Sequence, residues 1–505
     1  MIPTVKQKNS CMLCALVGTM AILSGLFLNA INHYINALLL VVSAIVLYFF
    51  MVFFADKNWL DLRATFTGVW LGTMGLSTLR LTANQEVWQK KTWIVLALAY
   101  LFFQIGATCG MHYGEKLSNA VKNHSPKEQT GKIYFRLREN RLFWVSLVTT
   151  LIGLVCFLIN VAIKGYIPCF SDDIFAYIDF YTKFHLFAVA ATMSAGLCYY
   201  CIKTQSIGTF KKIILWICIF YNMILFPILV VSRGVFVATA LTFTSVVFYL
   251  NKKRFISLVL CLSMIMGIYL LTSSLRDFTD EQLNFVFSPI KIETPIPDKN
   301  TSSSSTSSNT HDKNDKDKND KDKDDKDDKD SDSSNKNDTP IEPPSFMLSP
   351  KMSFLYGYLT VGHDNINEAV QNLDEYTWGT RSLAPFNVIL RINALDEISA
   401  SVDTYYVNPN LNTNNLIGTF YYDFHEYGVI VFMFLLSFVF ALLQLCCEKF
   451  KNPFVLLAMS NTIQVIVLSF FENFTARFEF WMLWGVVLIF ALISCINIKD
   501  KKSNP

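Results

Sequence analysis

Apolar runs of about 18 to 22 residues recur along this chain, matching the ~20 residues that a helix needs to cross the hydrocarbon core of a bilayer. They fall at residues 11–30, 35–55, 64–81, 92–111, 142–163, 184–202, 213–231, 235–250, 255–271, 427–447, 453–471 and 478–496. The third is the weakest and contains glycines. Strands alternating polar and apolar residues at barrel spacing are absent from the pattern. The reading is an all-α polytopic membrane protein of about 12 transmembrane helices.

Polar positions complete the layout. Residues 1–271 hold the first nine spans, 272–415 form one large late loop, and 416–505 hold a re-entry segment, three more spans and a tail. Basic residues cluster between spans 4 and 5, at Lys203/Lys211/Lys212, at NKKR, at Lys449/Lys451 and in the tail. The positive-inside rule places those clusters, and both termini, in the cytoplasm. The late loop is then extracytoplasmic. Arg80, Lys90 and Lys91 dissent by falling outside, so either the third span is re-entrant or they meet something anionic. Within the loop, 298–338 is a Ser/Asn run followed by repeated Lys/Asp, which cannot bury a core and reads as a disordered spacer. Residues 346–406 regain protein-like patterning at helical spacing, predicting short amphipathic helices lying on the outer membrane surface as a small cap.

Composition agrees with the pattern. The chain has 505 residues, 52% of them hydrophobic, with 43 phenylalanines and a mean hydropathy of +0.35, too apolar for an ordinary soluble domain. Its net charge of +3 carries no information as a total, because charge matters here by side. Most of the cysteines lie in apolar runs, where a thiol acts as a small hydrophobe. No Cys/His spacing suits zinc, so neither metal nor cofactor is expected. Nucleotide loops, serine-nucleophile elbows and metalloprotease motifs are also missing, and nothing suggests nucleic acid as a partner.

Candidate chemistry gathers at the outer end. Arg233 stands in VVSRGVF between two spans, beside Gly234, and Arg276 in SSLRDF just past the ninth. A guanidinium there can grip a pyrophosphate through paired hydrogen bonds and stabilise a leaving group; the alternative is snorkelling to headgroups. Arg381 and Arg391 offer further phosphate or glycan contacts from the cap. His363 and Asp364 in VGHDN, and Asp423 in YYDFHEYG, are candidate proton acceptors if burial raises a carboxyl pKa. Their alternative roles are a helix cap for Asp364 and the satisfaction of backbone groups for Asp423. Tyr421, Tyr422 and Tyr427 read as an interfacial belt or a sugar-stacking surface. Glu472 and Arg477 flank the last outer turn as an ion pair or rim contact.

GYIPCFSDD after a mid-chain span, SRG in an outer turn and N-P-N-x-N-T leading into YYDFHEYGV resemble the oligosaccharide repeat unit polymerases, the Wzy-type O-antigen and capsule polymerases. The likeness covers most of residues 142–496 outside the spacer, and order and topology carry it more than any single motif. The family's late stretch usually reads Y-x-D-F-G-x-x-G; here His425 replaces the first glycine while Asp423 and Gly428 remain. The resemblance implies a GT-C-like membrane glycosyltransferase in the bacterial cytoplasmic membrane, working at its outer face without nucleotide sugars. It implies lipid-linked oligosaccharides as substrates, undecaprenyl pyrophosphate as leaving group, Asp364, His363 or Asp423 as base, and Arg233, Arg276, Arg381, Arg391 and Tyr422 as substrate contacts. The pathway's chain-length regulator and flippase would be partners. An O-antigen ligase is the nearest enzymatic rival and a polysaccharide transporter or flippase the next. A late outer loop and the lack of any repeat between halves argue against a transporter.

Overall fold

The computed structural model describes residues 5–55, 58–82, 85–124, 139–171, 179–251, 255–259, 261, 263, 267, 350–386, 397–398, 401–407, 413–450 and 452–495. Those residues form helices and no strand. In order they are α1 (Val5–Leu23), α2 (Gly25–Ile31), α3 (His33–Phe54), α4 (Leu62–Ser77), α5 (Lys90–His124), α6 (Glu139–Lys164), α7 (Lys183–Ala191), α8 (Ser194–Thr204), α9 (Thr209–Phe220), α10 (Phe226–Val230), α11 (Arg233–Leu250), α12 (Pro350–Asn372), α13 (Leu416–Phe450), α14 (Pro453–Leu468) and α15 (Phe478–Cys495). Seven segments among the described residues are long and apolar enough to cross a membrane, with Gly234–Leu250 and Pro453–Leu468 as shorter apolar helices. The expected third span is the 16-residue α4, and its side chains are largely buried. Most of the expected ninth span, Arg276, Arg391 and the spacer lie outside the described residues.

The exposed side chains explain which medium this bundle suits. α3 turns Ile35, Leu38, Val42, Ile45, Phe49 and Phe53 outward, and α6 turns out Trp144, Val148, Leu151, Val155 and Leu158. A helix apolar on both its buried and exposed faces needs an apolar surround.

In such a medium helices do not associate by excluding water, so close van der Waals packing must serve. Gly106, Gly110 and Gly114 form a small-residue seam on α5 against α13. A Cβ at Gly106 would lie 2.3 Å from the Phe434 carbonyl, one at Gly110 2.4 Å from that of Phe438, and one at Gly114 2.6 Å from Leu445. Gly68, Gly72 and Gly75 repeat the device on α4 against α3, where a Cβ at Gly75 would lie 2.7 Å from Val41.

α13 is not one continuous span. Phe424 (φ −151°) and His425 (φ 49°, ψ −139°) break it. Residues eight apart in a continuous helix are about 12 Å apart, yet a Cβ at Gly428 would lie 2.4 Å from the Phe420 carbonyl. The chain therefore doubles back, with the Phe420 and Phe432 rings stacked at 5.0 Å. Residues 416–423 form a short helix, and the span proper follows the break, near the expected start at 427.

The cap differs from expectation. α12 docks into the bundle instead of lying on a membrane surface: Thr360, His363, Asp364, Asn365, Ile366 and Asn367 are all buried. Asparagine amides fix it there. Asn415 Nδ2 donates to the Gly362 carbonyl at 2.8 Å, Asn365 Nδ2 to that of Thr413 at 2.8 Å, and Asn367 Oδ1 accepts from Gln89 N at 2.9 Å and Thr92 Oγ1 at 2.8 Å. Two of the three dissenting basic residues, Lys91 and Arg80, find protein partners. Lys91 pairs with Glu426 at 3.1 Å, and the Arg80 guanidinium donates to the Asn29 side chain.

Replacing Gly110 by Leu is expected to abolish membrane accumulation, because the added atoms meet backbone. Gly485→Ala, whose Cβ meets nothing within 4 Å, is expected to match or exceed wild type by about 0.5–1 kcal/mol. Fluorescence-detected size exclusion of detergent extracts before and after heating checks both.

Candidate functional site

Two polar centres sit where α4 ends, α5 begins and α13 breaks. The first surrounds Asp364 on α12. Its Oδ1 accepts from Ser77 Oγ at 2.8 Å and Trp88 Nε1 at 2.9 Å, and its Oδ2 from Gln85 Nε2 at 2.9 Å. Tyr356 extends the network by donating to the Leu76 carbonyl at 2.8 Å, and it lies 2.9 Å from Gln85 Oε1. Burial outweighs these donors and holds the Asp364 carboxyl above its ordinary pKa. His363, one residue earlier, lies 2.8 Å from Thr73 Oγ1 and edge-on to Trp70, and burial pushes its pKa down. Asp364 therefore ties the end of α4 and residues 85–88 to α12; it does not cap a helix.

The second centre surrounds Asp423. Thr377 Oγ1 donates to its Oδ1 at 2.6 Å and Arg381 N at 3.1 Å, while Ser382 N donates to Oδ2 at 2.9 Å and Ser382 Oγ at 2.5 Å. The carboxylate is fully buried. It satisfies two backbone N–H groups of a tight turn in which Trp378 (φ 51°) and Gly379 (φ 84°) take left-handed conformations. That turn sets Arg381: its guanidinium stacks over the Tyr422 ring at 3.8 Å and donates to Thr404 Oγ1 at 2.8 Å. Tyr422 is buried beneath it and accepts from Tyr405 N at 2.7 Å, so it is neither belt nor open sugar platform. Tyr421 is buried as well, and of the three tyrosines only Tyr427 is exposed. Arg381 Nε is buried with no hydrogen-bond partner, and desolvation lowers the guanidinium's pKa.

Arg381 lines a cavity of about 360 Å³ with Thr404, Asn414, Thr419, Glu472, Asn473 and Arg477. Glu472 and Arg477 also border a narrower cleft of about 160 Å³ that reaches Thr242, Asn461 and Gln464 between α11 and α14. Arg477 Nε donates to Glu472 Oε1 at 2.6 Å. The ion pair expected from sequence is present, and it stands in the wall of both cavities. Asn461 Nδ2 is buried without a partner, whereas Gln464 accepts from Thr242 at 2.9 Å. Ser232 and Gly234 line the cleft, and Arg233 lies between them as the first residue of α11, with Ser232 capping that helix.

The structure thus brings Arg381, Tyr422 and Asp423 together and sets the backbone of Arg233 beside the adjoining cleft. His363 and Asp364 belong to the separate Asp364 network. None of His363, Asp364 and Asp423 lines either cavity, and protein donors occupy every carboxylate oxygen. Glu472 and Arg477 are the functional candidates whose placement in both cavities sequence reasoning missed. Their spacing suggested a pair, but nothing local showed that Asn414 accepts from Asn473 N at 3.0 Å and Leu416 N donates to the Ser469 carbonyl at 2.9 Å. Those bonds draw the last turn against the cap. No protein-family model, curated protein or solved structure matches the chain.

His425 occupies a backbone conformation suited to glycine, with a cost of order 1–3 kcal/mol for another residue. His425→Gly is therefore expected to exceed His425→Ala in stability by roughly 1–2 kcal/mol, since both lose the ring and only glycine relieves the strain. Thermal midpoints of the two purified variants, measured side by side, check it.

Proposed function

We propose that this protein is a membrane glycosyltransferase that joins oligosaccharide repeat units carried on a polyprenyl diphosphate, at the outer face of a bacterial cytoplasmic membrane. The observation that carries the reading is the shared wall of the two cavities. Arg381 and Arg477 face one polar space, and Arg477 also borders a cleft entering an apolar bundle. An amphiphile with an anionic junction between glycan and hydrocarbon matches that arrangement in charge and polarity.

In this reading an acceptor hydroxyl attacks the anomeric carbon of the donor glycan. The bond to the diphosphate breaks, and its electron pair leaves with the diphosphate. Arg381 and Arg477 stabilise the charge that develops, the work a preorganised cation does best in a partly desolvated site. Glu472 is the carboxylate in the wall of both cavities, and it takes the hydroxyl's proton once the incoming diphosphate competes for Arg477. Asp423 acts indirectly by fixing the turn that aims Arg381. The distribution of Lys and Arg clusters between the apolar segments supports the same orientation through the positive-inside rule.

Deleting the gene in its host and sizing surface glycan and lipid-linked oligosaccharide on a gel tests the reading. The expected result is a surface glycan of single repeat units with no ladder, restored by wild type and not by Arg381→Ala or Glu472→Gln. An unchanged ladder on deletion overturns it. Full-length polymer left on the lipid carrier points to ligation, and repeat units trapped on the cytoplasmic face point to flipping.

A further inference from the structure

Asp423 holds more than Arg381 in place. In the same turn Trp378 stands 64% exposed, with its backbone in the left-handed region. A bulky exposed side chain at such a φ is costly unless the surroundings dictate it. Here they do: Thr377, Arg381 and Ser382 all bind Asp423, and Thr377 N donates to the Tyr422 carbonyl at 2.9 Å. The indole is backed by other rings. Tyr376 lies 5.2 Å away, the His425 ring lies 4.3 Å beyond Tyr376, and Phe424 meets the indole edge-on at 6.1 Å.

Exposed carboxylates flank this surface. Asp374 and Glu375 directly precede Tyr376 and are both solvent-exposed. A rigid aromatic face offers apolar C–H contact, and neighbouring carboxylates accept hydrogen bonds from hydroxyl pairs. A membrane anchor needs the reverse charge, because anionic headgroups repel carboxylates. It also needs no fixed ring orientation.

We infer that Trp378, with Tyr376 behind it and Asp374 and Glu375 beside it, is a glycan-binding platform distinct from the two cavities, holding a neutral sugar of the oligosaccharide. The inference rests on the glycan-joining reading for the source of its ligand. It assigns the turn two tasks: Arg381 for the charged junction and Trp378 for the sugar chain.

The test is calorimetric titration of the full-length protein, in nanodiscs of phosphatidylethanolamine and phosphatidylglycerol, with repeat-unit oligosaccharide released from the host's surface glycan by mild acid. Trp378→Gly suits the left-handed backbone and leaves the turn intact, as size exclusion will verify. It is expected to weaken binding about tenfold or more. Trp378→Phe keeps a ring and is expected to stay within about threefold of wild type. Asp374→Asn with Glu375→Gln is expected to weaken binding severalfold. Binding by wild type that Trp378→Gly leaves unchanged overturns the platform while glycan joining stands. An absence of wild-type binding overturns it too, and fluorescence quenching by brominated acyl chains that is lost in Trp378→Phe then makes the residue a membrane anchor. If the gene deletion also leaves the glycan ladder intact, both readings fall.

Discussion

The end of the bundle that carries the cavity around Arg381 depends on one buried carboxylate. Asp423 lies without solvent contact, and an ionised carboxylate in that position is tolerable only with donors on its oxygens. Four hydrogen bonds from Thr377, Arg381 and Ser382 supply them. Supplying them forces residues 377–382 into a turn with two left-handed positions, and that turn directs Arg381 over Tyr422 and Trp378 outward. A local electrostatic demand thus becomes a global arrangement of chemistry. Asp364 does the same for the end of α4 and residues 85–88, through Ser77, Gln85 and Trp88.

The rest of the bundle solves a different problem. Where the surround is apolar, burying more apolar surface yields little, and the helices rely on glycine seams that let α5 meet α13 and α4 meet α3 at backbone distance. Around α12 the chain changes strategy. Asn365, Asn367 and Asn415 replace methyl packing with directed amide bonds, and each ties segments far apart in sequence. Close helix packing in the bundle and side-chain amide hydrogen bonds around α12 thus divide the work of holding the structure together.

Much of the architecture was legible in the sequence. Hydrophobic length located the long apolar helices, and the unusual polarity of YYDFHEYG marked the place where α13 breaks. His425 stands where the polymerases that the chain resembles carry a glycine, and the positive φ there shows that the chain turns sharply even so. The docking of α12 was not legible. Its apolar and polar spacing matches a helix on a membrane surface as well as one in a bundle, and the asparagine contacts that decide between them span 48 to 53 residues for Asn365 and Asn415. Asp364, His363 and Asp423 are likewise buried and line neither cavity. A carboxylate's donors come from tertiary neighbours such as Ser77 and Trp88, hundreds of residues away, and no local pattern encodes them.

Native mass spectrometry of the protein purified from its own host membrane tests the central claim most directly, that Arg381 and Arg477 hold the diphosphate of a lipid-linked glycan. Wild type is predicted to carry a polyprenyl-diphosphate-linked oligosaccharide as a retained adduct, and the Arg381→Ala, Arg477→Ala double variant to lose it while keeping ordinary phospholipids. Equal retention by both proteins, or phospholipid adducts alone on wild type, would contradict the account.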